Sequence, residues 1–200
     1  RREGLNASAV RMDMQSLESI NDAVALVERD LGPLSVLVNN AGLSHPAMAI
    51  DVTPADYDDM FALNVKGAFF ASQAVARAMI PRKRGSIVNI ASQAGVVALV
   101  GEPVYCMTKA AMIHMTQCLA AEWAQDNIRV NAVAPTFIHT DSTKGWVENE
   151  TSLASLLARI PLNRIGEPND VADPVVFLAS SAAAMITGAT LKIDGGWTIV

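Results

Sequence analysis

Hydrophobic positions along the chain follow two periods that alternate. Short apolar runs such as LSVLVNN (34–40) and SIVNIAS (86–92) end in small or polar residues, which indicates buried strands. Between the runs, longer segments such as 16–30 place Ile20 and Val24 on one stripe, which indicates amphipathic helices. The pattern predicts strands at 8–14, 34–40, 86–92, 128–135 and 190–196, helices at 16–30, 51–79 (in one or two pieces), 103–125, 151–159 and 168–180, and a polar loop at 139–151.

This alternation favours a parallel sheet, because consecutive parallel strands need a long crossover and helices supply it. Right-handed crossovers then place helices on both faces of the sheet. We therefore expect one α/β domain over residues 1–200, a doubly wound, Rossmann-like parallel sheet in three α/β/α layers. Ligands of such sheets bind beyond the carboxyl ends of the strands, so the residues that follow each strand are the candidates for chemistry.

Composition narrows the function classes. The chain is 51% hydrophobic with a mean hydropathy of +0.28, yet no apolar run reaches the roughly 18 residues of a membrane span, so no membrane partner is expected. Net charge is −5 and basic residues cluster only at 82–84, so no nucleic-acid partner is expected. Cys106 and Cys118 are too few for a disulfide framework, and no histidine has metal-ligand spacing. With no signal peptide in these residues, we expect a cytoplasmic protein without a metal.

Four small or polar clusters fall on the expected rim. NNAG (39–42) follows one strand, Ser92 follows the next, and PTFIHT (135–140) follows another. Tyr105 and Lys109 begin the helix between the last two of these strands. Residues four apart on a helix share a face, so the ammonium is expected beside the phenol, where it favours the phenolate.

In their order and spacing, six blocks of the sequence resemble the short-chain dehydrogenases/reductases. The blocks are NNAG (39–42), NVKG (64–67), SIVNIAS (86–92), YCMTK (105–109), RVNAVAP (129–135) and ITGATLKIDGG (186–196). A Y-x-x-x-K pattern alone is weak, but here Ser92 stands thirteen residues before Tyr105 and the other blocks follow in order. The resemblance covers nearly the whole chain and implies hydride transfer between NAD or NADP and a secondary alcohol or ketone.

The resemblance implies four catalytic residues. Tyr105 would exchange the hydroxyl proton, Ser92 would hold the substrate oxygen, and Asn64 would join a proton relay behind Lys109. Lys109 would also hydrogen-bond the nicotinamide ribose. A free phenol is only ~0.1% ionised at pH 7, so ~4 kcal/mol of preference for phenolate is needed, which the lysine and a positive nicotinamide ring together would supply. Asn is a poor interior helix residue, so we expect a helix distortion at Asn64.

The same matching implies further binding residues. Besides Tyr105 and Lys109, the cofactor would contact Asp13, Met14, Asn40, Ala41, Gly42, Ile90, Pro135, Ile138 and Thr140. The substrate would contact Ser92, Tyr105, Thr136 and Trp146. The family usually has glycine after this proline, so Thr136 would narrow the space beside the nicotinamide. Trp146 belongs to a polar segment at 141–150 that is expected to form a mobile lid.

A glycine-rich phosphate loop is absent from the 200 residues: neither G-x-G-x-x-G nor T-G-x-x-x-G-x-G occurs. The resembled family carries that loop in an opening β-α-β unit, which holds the pyrophosphate and separates NAD from NADP. We therefore expect the sheet to lack its first β-α-β unit and the sequence to be a fragment of a longer polypeptide.

Three functions stay open on this sequence. The stretch LAAEWAQDNIRVNAVAP (119–135) and the ending DGGWTIV resemble polyol and sugar-alcohol dehydrogenases of the family, which favours a small polyol or sugar alcohol. The 3-oxoacyl carrier-protein reductases share most of the same blocks. A non-catalytic, shortened member that binds a protein partner would need none of the catalytic residues. The stripe Met112, Met115, Leu119 and Trp123 is expected to pack within the protein or against another subunit of a homodimer or homotetramer.

Overall fold

A parallel four-stranded sheet lies at the centre of the computed structural model, which describes residues 6–200. Its strands are β1 (Val36–Asn39), β2 (Gly85–Ile90), β3 (Ile128–Pro135) and β4 (Thr190–Ile193), in the order β1-β2-β3-β4. The register pairs Asn39 with Asn89 and Pro135 with Ile193, so the carboxyl ends of the strands meet at one edge. The expected parallel α/β sheet is confirmed.

Helices cover both faces of this sheet. Successive side chains on a strand point to opposite faces. Accordingly, Ile87 packs against Met79 and Leu119, whereas the next residue, Val88, packs against Leu178 on the other face. The three-layer arrangement is therefore confirmed. The helices are α1 (Leu17–Asp30), α2 (Pro54–Phe61), α3 (Ala68–Met79), α4 (Pro103–Trp123), α5 (Lys144–Val147), α6 (Glu150–Leu157) and α7 (Pro168–Ala179).

Local sequence signals explain where the helices begin. The Thr53 hydroxyl accepts a hydrogen bond from the Asp56 backbone N–H at 3.1 Å, and Pro54 takes the first position of α2. Helix α4 also begins with a proline, but its capping residue, Glu102, makes no side-chain cap bond. The Glu102 carboxylate is thereby left for a different contact. Within residues 6–200, no helix has the length and apolarity to cross a membrane.

The helix predicted over 51–79 is interrupted at Asn64. Residues Ala62–Gly67 form a π-helical segment between α2 and α3, and Asn64 lies fully buried within it. The expected distortion is therefore confirmed. The physical reason is that the buried side-chain amide of Asn64 accepts a hydrogen bond from the Leu43 N–H and donates one to the Leu43 carbonyl oxygen, so it does not face solvent.

The strand predicted at 8–14 is wrong. Residues 8–13 have no regular structure, and in the described part of the chain no strand pairs with them. A strand exists only through its ladder partners. The outer edge of β1 is open, with Val36 and Val38 38% and 40% exposed, yet the segment does not hydrogen-bond to it. The alternating apolar pattern of this segment therefore forms no ladder in this structure.

A buried amide network, missed in the sequence, ties β1 to β2. Asn39 Nδ2 donates to Ser72 Oγ and to Asn89 Oδ1, both at 2.8 Å, and Asn89 Nδ2 donates to Thr116 Oγ1 at 2.9 Å. Because Asn39 immediately precedes Asn40, the network fixes the point at which the NNAG turn leaves the sheet. It also sets the strand register, because a slip of one residue would leave buried amides unpaired.

Gly67 provides a stability prediction. A Cβ added at Gly67 would lie 2.5 Å from the backbone oxygen of Met14, whereas one added at Gly145 would meet open space. We expect Gly67→Ala to lower the free energy of unfolding by about 1–3 kcal/mol through overpacking. Gly145→Ala, within α5, is expected to be neutral or slightly stabilising, because alanine favours helix. Urea denaturation measures both changes, and equal stabilities of the two variants would contradict the prediction.

Candidate active site

Tyr105 and Lys109 lie one turn apart at the start of α4, as their spacing predicts. The Lys109 Nζ atom lies 5.5 Å from the centroid of the Tyr105 ring. Lys109 is only 4% exposed, and its Nζ donates to the Ile90 carbonyl oxygen at 2.8 Å. Helix α4 is thereby docked on the carboxyl end of β2. Ile90 enters the site through its backbone oxygen.

Ser92 connects this pair to the end of β3. Its side chain is buried, accepts a hydrogen bond from the Ala94 N–H at 3.1 Å and points its hydroxyl at the Pro135 carbonyl oxygen, 3.5 Å away. The Ser92 side chain also interacts with the Tyr105 phenol. Three of the predicted catalytic residues are therefore brought together on the expected rim.

Burial raises the pKa of the Tyr105 phenol. Hydrogen bonding to Ser92 lowers this pKa in part, while the negative charge of Glu102 raises it further. Burial also lowers the pKa of Lys109, from 10.5 to about 8. Despite the nearby lysine, the phenol's pKa is therefore not lowered toward 7, because burial is the largest influence on it. The lowering expected from the sequence needs further positive charge at this place.

Asn64 fastens the NNAG turn to α4. Its Nδ2 donates to the Leu43 carbonyl oxygen at 2.8 Å and to Thr108 Oγ1 at 3.1 Å, and its Oδ1 accepts from the Leu43 N–H at 2.9 Å. Both donors of the amide are occupied, so the side chain acts as a clamp. The proton relay through Asn64 stays a prediction.

The surroundings of Lys109 fit the nicotinamide ribose of a dinucleotide. A Cβ at Gly42 would lie 3.5 Å from Lys109 Nζ and 3.2 Å from Asn64 Oδ1, so the glycine keeps a path to the amine open. Lys109 donates one hydrogen bond to protein and has further N–H groups for hydroxyls. Asn40 and Ala41 are exposed beside it. These donors and this space match a neutral, hydroxyl-bearing group.

Asp13 and Met14 are not brought to the Tyr105 group. The Asp13 carboxylate accepts from the Gln15 N–H at 2.9 Å, and Met14 packs in the cluster of Ile20 and Phe70 at the start of α1. Met14 shares that cluster with Leu37 of β1. The predicted contact of Asp13 and Met14 with adenine stays a prediction.

The residues predicted after β3 surround the other side of the site. The Thr136 hydroxyl is buried without a hydrogen-bond partner, and the Ile138 backbone forms a bridge with Gly166. Thr140 caps the turn that leads into the predicted lid. Trp146 is 46% exposed, and its ring centroid lies 6.2 Å from that of Phe137. The predicted loop at 139–151 thus contains helix α5.

Two carboxylate contacts near this rim were not predicted from the sequence. The Glu102 carboxylate accepts a hydrogen bond from Ser44 Oγ, and His45 Nε2 lies 3.0 Å from Asp59 Oδ2. For Glu102 a signal existed, because E-x-x-Y-x-x-x-K places it three residues before Tyr105, at the start of α4. For His45 and Asp59 the sequence offered none. Across residues 6–200, no group of three His, Cys, Asp or Glu side chains is arranged to hold a metal ion.

Comparison with known proteins adds to this geometry. A family model described as enoyl-(acyl carrier protein) reductase matches residues 2–198. The gluconate 5-dehydrogenase of Gluconobacter oxydans (strain 621H) is 38% identical over 197 residues, which are 98% of this chain and 77% of that protein. The galactitol 2-dehydrogenase of Rhizobium johnstonii is 44% identical over 181 residues, 88% of this chain and 70% of that protein.

A solved structure matches the whole described fold. The gluconate 5-dehydrogenase from Burkholderia cenocepacia J2315, in complex with NADP and tartrate, superposes with a TM-score of 0.96 at 32% sequence identity. The match covers 100% of this chain and 78% of that structure. The sheet, the helices and the rim described above are therefore a known arrangement.

Proposed function

Because the chain belongs to the short-chain dehydrogenase/reductase family, whose members act on CH–OH groups with NAD or NADP, we propose that it interconverts a small polyol or sugar alcohol and the matching ketone. The observation that carries the proposal is the convergence of Ser92, Tyr105 and Lys109 on one rim. Two similar proteins are dehydrogenases of polyhydroxylated compounds, gluconate and galactitol. An alcohol of that kind is the substrate class proposed here.

Each catalytic residue has a definite task in this proposal. The Ser92 hydroxyl holds the substrate oxygen, because its contact with the Pro135 carbonyl oxygen is long, at 3.5 Å, and readily exchanged. The Tyr105 phenolate takes the hydroxyl proton in oxidation, and the phenol returns it in reduction. The Lys109 ammonium favours the phenolate and donates to ribose hydroxyls. Asn64 keeps the NNAG turn beside Lys109.

The bound nicotinamide would accept or supply the hydride. Around it, Asn40, Ala41 and Gly42 would line the ribose, since they are exposed at the end of β1. The segment after β3 would hold the amide end through Pro135, Ile138 and Thr140. Asp13 and Met14 would approach the adenine.

Substrate contacts complete the proposal. Thr136 would stand next to the reacting carbon, where its buried, unpartnered hydroxyl is able to bond a second substrate hydroxyl. Trp146 would close over the substrate from the lid. A polyhydroxylated molecule satisfies both groups better than an acyl chain does, because an acyl chain offers few hydroxyls.

We also propose a cytoplasmic homo-oligomer. The stripe on α4 packs largely inside the protein, because Met112 and Leu119 are buried in the core. Beside it, however, a groove lined by Phe61, Val65 and Phe69 stays open between the π-helical segment, α3 and α4. An apolar groove of this kind suits contact with a second copy. Both described cysteines are free thiols, which agrees with a reducing compartment.

An alcohol panel tests the proposed function. Purified protein is assayed with galactitol, glycerol and gluconate in the presence of NAD⁺ or NADP⁺, and an acetoacetyl thioester with NADH or NADPH serves as the competing substrate. Turnover of a polyhydroxylated alcohol well above the Tyr105→Phe background is expected. Turnover of the thioester alone would show the 3-oxoacyl reductase activity instead, and a lack of any turnover would contradict the proposal.

A further inference from the structure

Three ionisable side chains lie at the start of α4. Tyr105 and Lys109 are one turn apart in the helix, and Glu102 immediately precedes the helix, three residues before Tyr105. Glu102 occupies the capping position of α4, yet its side chain does not bond the helix N-terminus. Its carboxylate instead accepts a hydrogen bond from Ser44 Oγ. The carboxylate therefore points toward the segment that follows the NNAG turn.

That segment is held rigidly against the start of α4. Leu43 is bonded through both its N–H and its C=O to the Asn64 amide. Four residues further on, the Ala47 N–H donates to the Gly101 carbonyl oxygen at 2.8 Å. Ser44 lies between these two attachments, so its hydroxyl holds the Glu102 carboxylate in a fixed place.

The carboxylate acts on the reaction centre. Burial raises the pKa of Glu102, and the hydrogen bond from Ser44 lowers it in part. The charge of Glu102 in turn raises the pKa of the Tyr105 phenol. A substrate whose hydroxyl meets Tyr105 therefore lies within the field of this carboxylate, in a place where partial burial weakens solvent screening.

The neighbouring basic side chains have other partners. Lys109 Nζ donates to the Ile90 carbonyl oxygen at 2.8 Å, and its remaining N–H groups would bond the ribose hydroxyls in the proposed function, while His45 is paired with Asp59. The Arg159 guanidinium stacks over the Trp197 ring at 4.6 Å. A carboxylate on the substrate would therefore meet the negative charge of Glu102 before it met a free positive one.

Resting on the proposed function, we propose that Glu102, held by Ser44, makes this site select uncharged polyols over the corresponding sugar acids. The carboxylate accepts hydrogen bonds from substrate hydroxyls, which a polyol offers at each carbon. A carboxylate at the same place on the substrate is repelled, and a repulsive element of this kind is a common source of specificity.

Galactitol and galactonate provide a matched test, because they differ only in a terminal CH₂OH group against a carboxylate. The measured quantity is the ratio of kcat/KM for the two compounds. If galactonate is not turned over, its inhibition constant is compared with the KM of galactitol instead. Wild-type protein is expected to prefer galactitol by at least about tenfold, and Glu102→Gln to narrow the ratio by about tenfold, because like charges are costly at close range. Glu18→Gln, exposed on α1, is the matched control and should leave the ratio unchanged.

Ser44→Ala provides a second variant that keeps the charge and removes only its anchor. Ser44→Ala is expected to narrow the galactitol-to-galactonate ratio by a smaller factor, about two- to threefold. If Glu102→Gln does not fold, this variant tests the selectivity role in its place. An unchanged ratio in the folded variants would overturn the selectivity role while leaving the proposed function intact. Failure of the wild-type protein to turn over any polyhydroxylated alcohol would instead overturn the proposed function, and this inference with it.

Discussion

Tyr105→Phe is expected to lower kcat by ~10³- to 10⁴-fold while changing the Kd for NAD(P)H by less than about threefold. The phenyl ring keeps the packing of the first turn of α4, so the fold and the proposed cofactor contacts of Lys109 remain. What disappears is the hydroxyl that we propose exchanges the substrate proton. Ser92 does not replace it, because an unperturbed serine hydroxyl is far too weak an acid and base at neutral pH.

The second tyrosine provides the control. Tyr57 is 40% exposed and stacks on Phe61 in α2, with ring centroids 4.7 Å apart, away from the start of α4. Tyr57→Phe is expected to retain wild-type kcat. Steady-state rates and a fluorescence titration with NADH or NADPH measure both quantities. A Tyr105→Phe variant that retained more than about a tenth of the wild-type kcat would exclude the phenol as the proton-exchanging group.

Lys109→Met is expected to abolish detectable turnover and, at the same time, to stabilise the protein. In the fold, burial lowers the pKa of Lys109 from 10.5 to about 8, which corresponds to a destabilisation of about 3 kcal/mol at pH 7. Methionine has a similar length and no charge. Part of the gain is lost with the hydrogen bond to the Ile90 carbonyl oxygen, so the free energy of unfolding should rise by about 1–2 kcal/mol.

The stability difference between Lys109→Met and the wild-type protein is expected to depend on pH. Below pH 8 the lysine is protonated in both states, and the folded state carries the full cost of a buried charge. Between pH 8 and 10.5 the unfolded chain binds more protons than the folded protein, so the stability of the wild-type protein rises with pH. The advantage of Lys109→Met should therefore be largest below pH 8 and should shrink between pH 8 and 10.5.

Urea denaturation at pH 7 and pH 9.5 measures the effect, in protein without added cofactor. Lys192→Met, at an exposed position of β4, is the matched control and should show no such change with pH. A Lys109→Met variant less stable than wild type at pH 7 would show that the ammonium contributes more through its contacts than burial costs. The expected outcome instead describes a residue kept for chemistry at the expense of stability.

Much of the fold and part of the site could be predicted because the signals are local. The signals are the four-residue spacing of Tyr105 and Lys109, the proline at the start of α4 and the apolar runs of β2 and β3, and each acts within a few residues. The distortion at Asn64 was predicted for the same reason, since asparagine is a poor residue for a helix interior. Contacts that join distant segments, such as Ser44 with Glu102 or Asn39 with Asn89, leave no local periodicity to detect.

The sequence by itself determined the order of strands and helices, the parallel sheet and the rim on which Ser92, Tyr105 and Lys109 meet. Only the tertiary structure decided that residues 8–13 form no strand, because a strand needs a ladder partner that no local pattern supplies. Only the tertiary structure decided that the pKa of Tyr105 is raised and not lowered, because burial depends on what packs around the phenol and not on its neighbours along the helix. Spacing places two groups side by side, whereas the surrounding protein sets the dielectric environment in which they act.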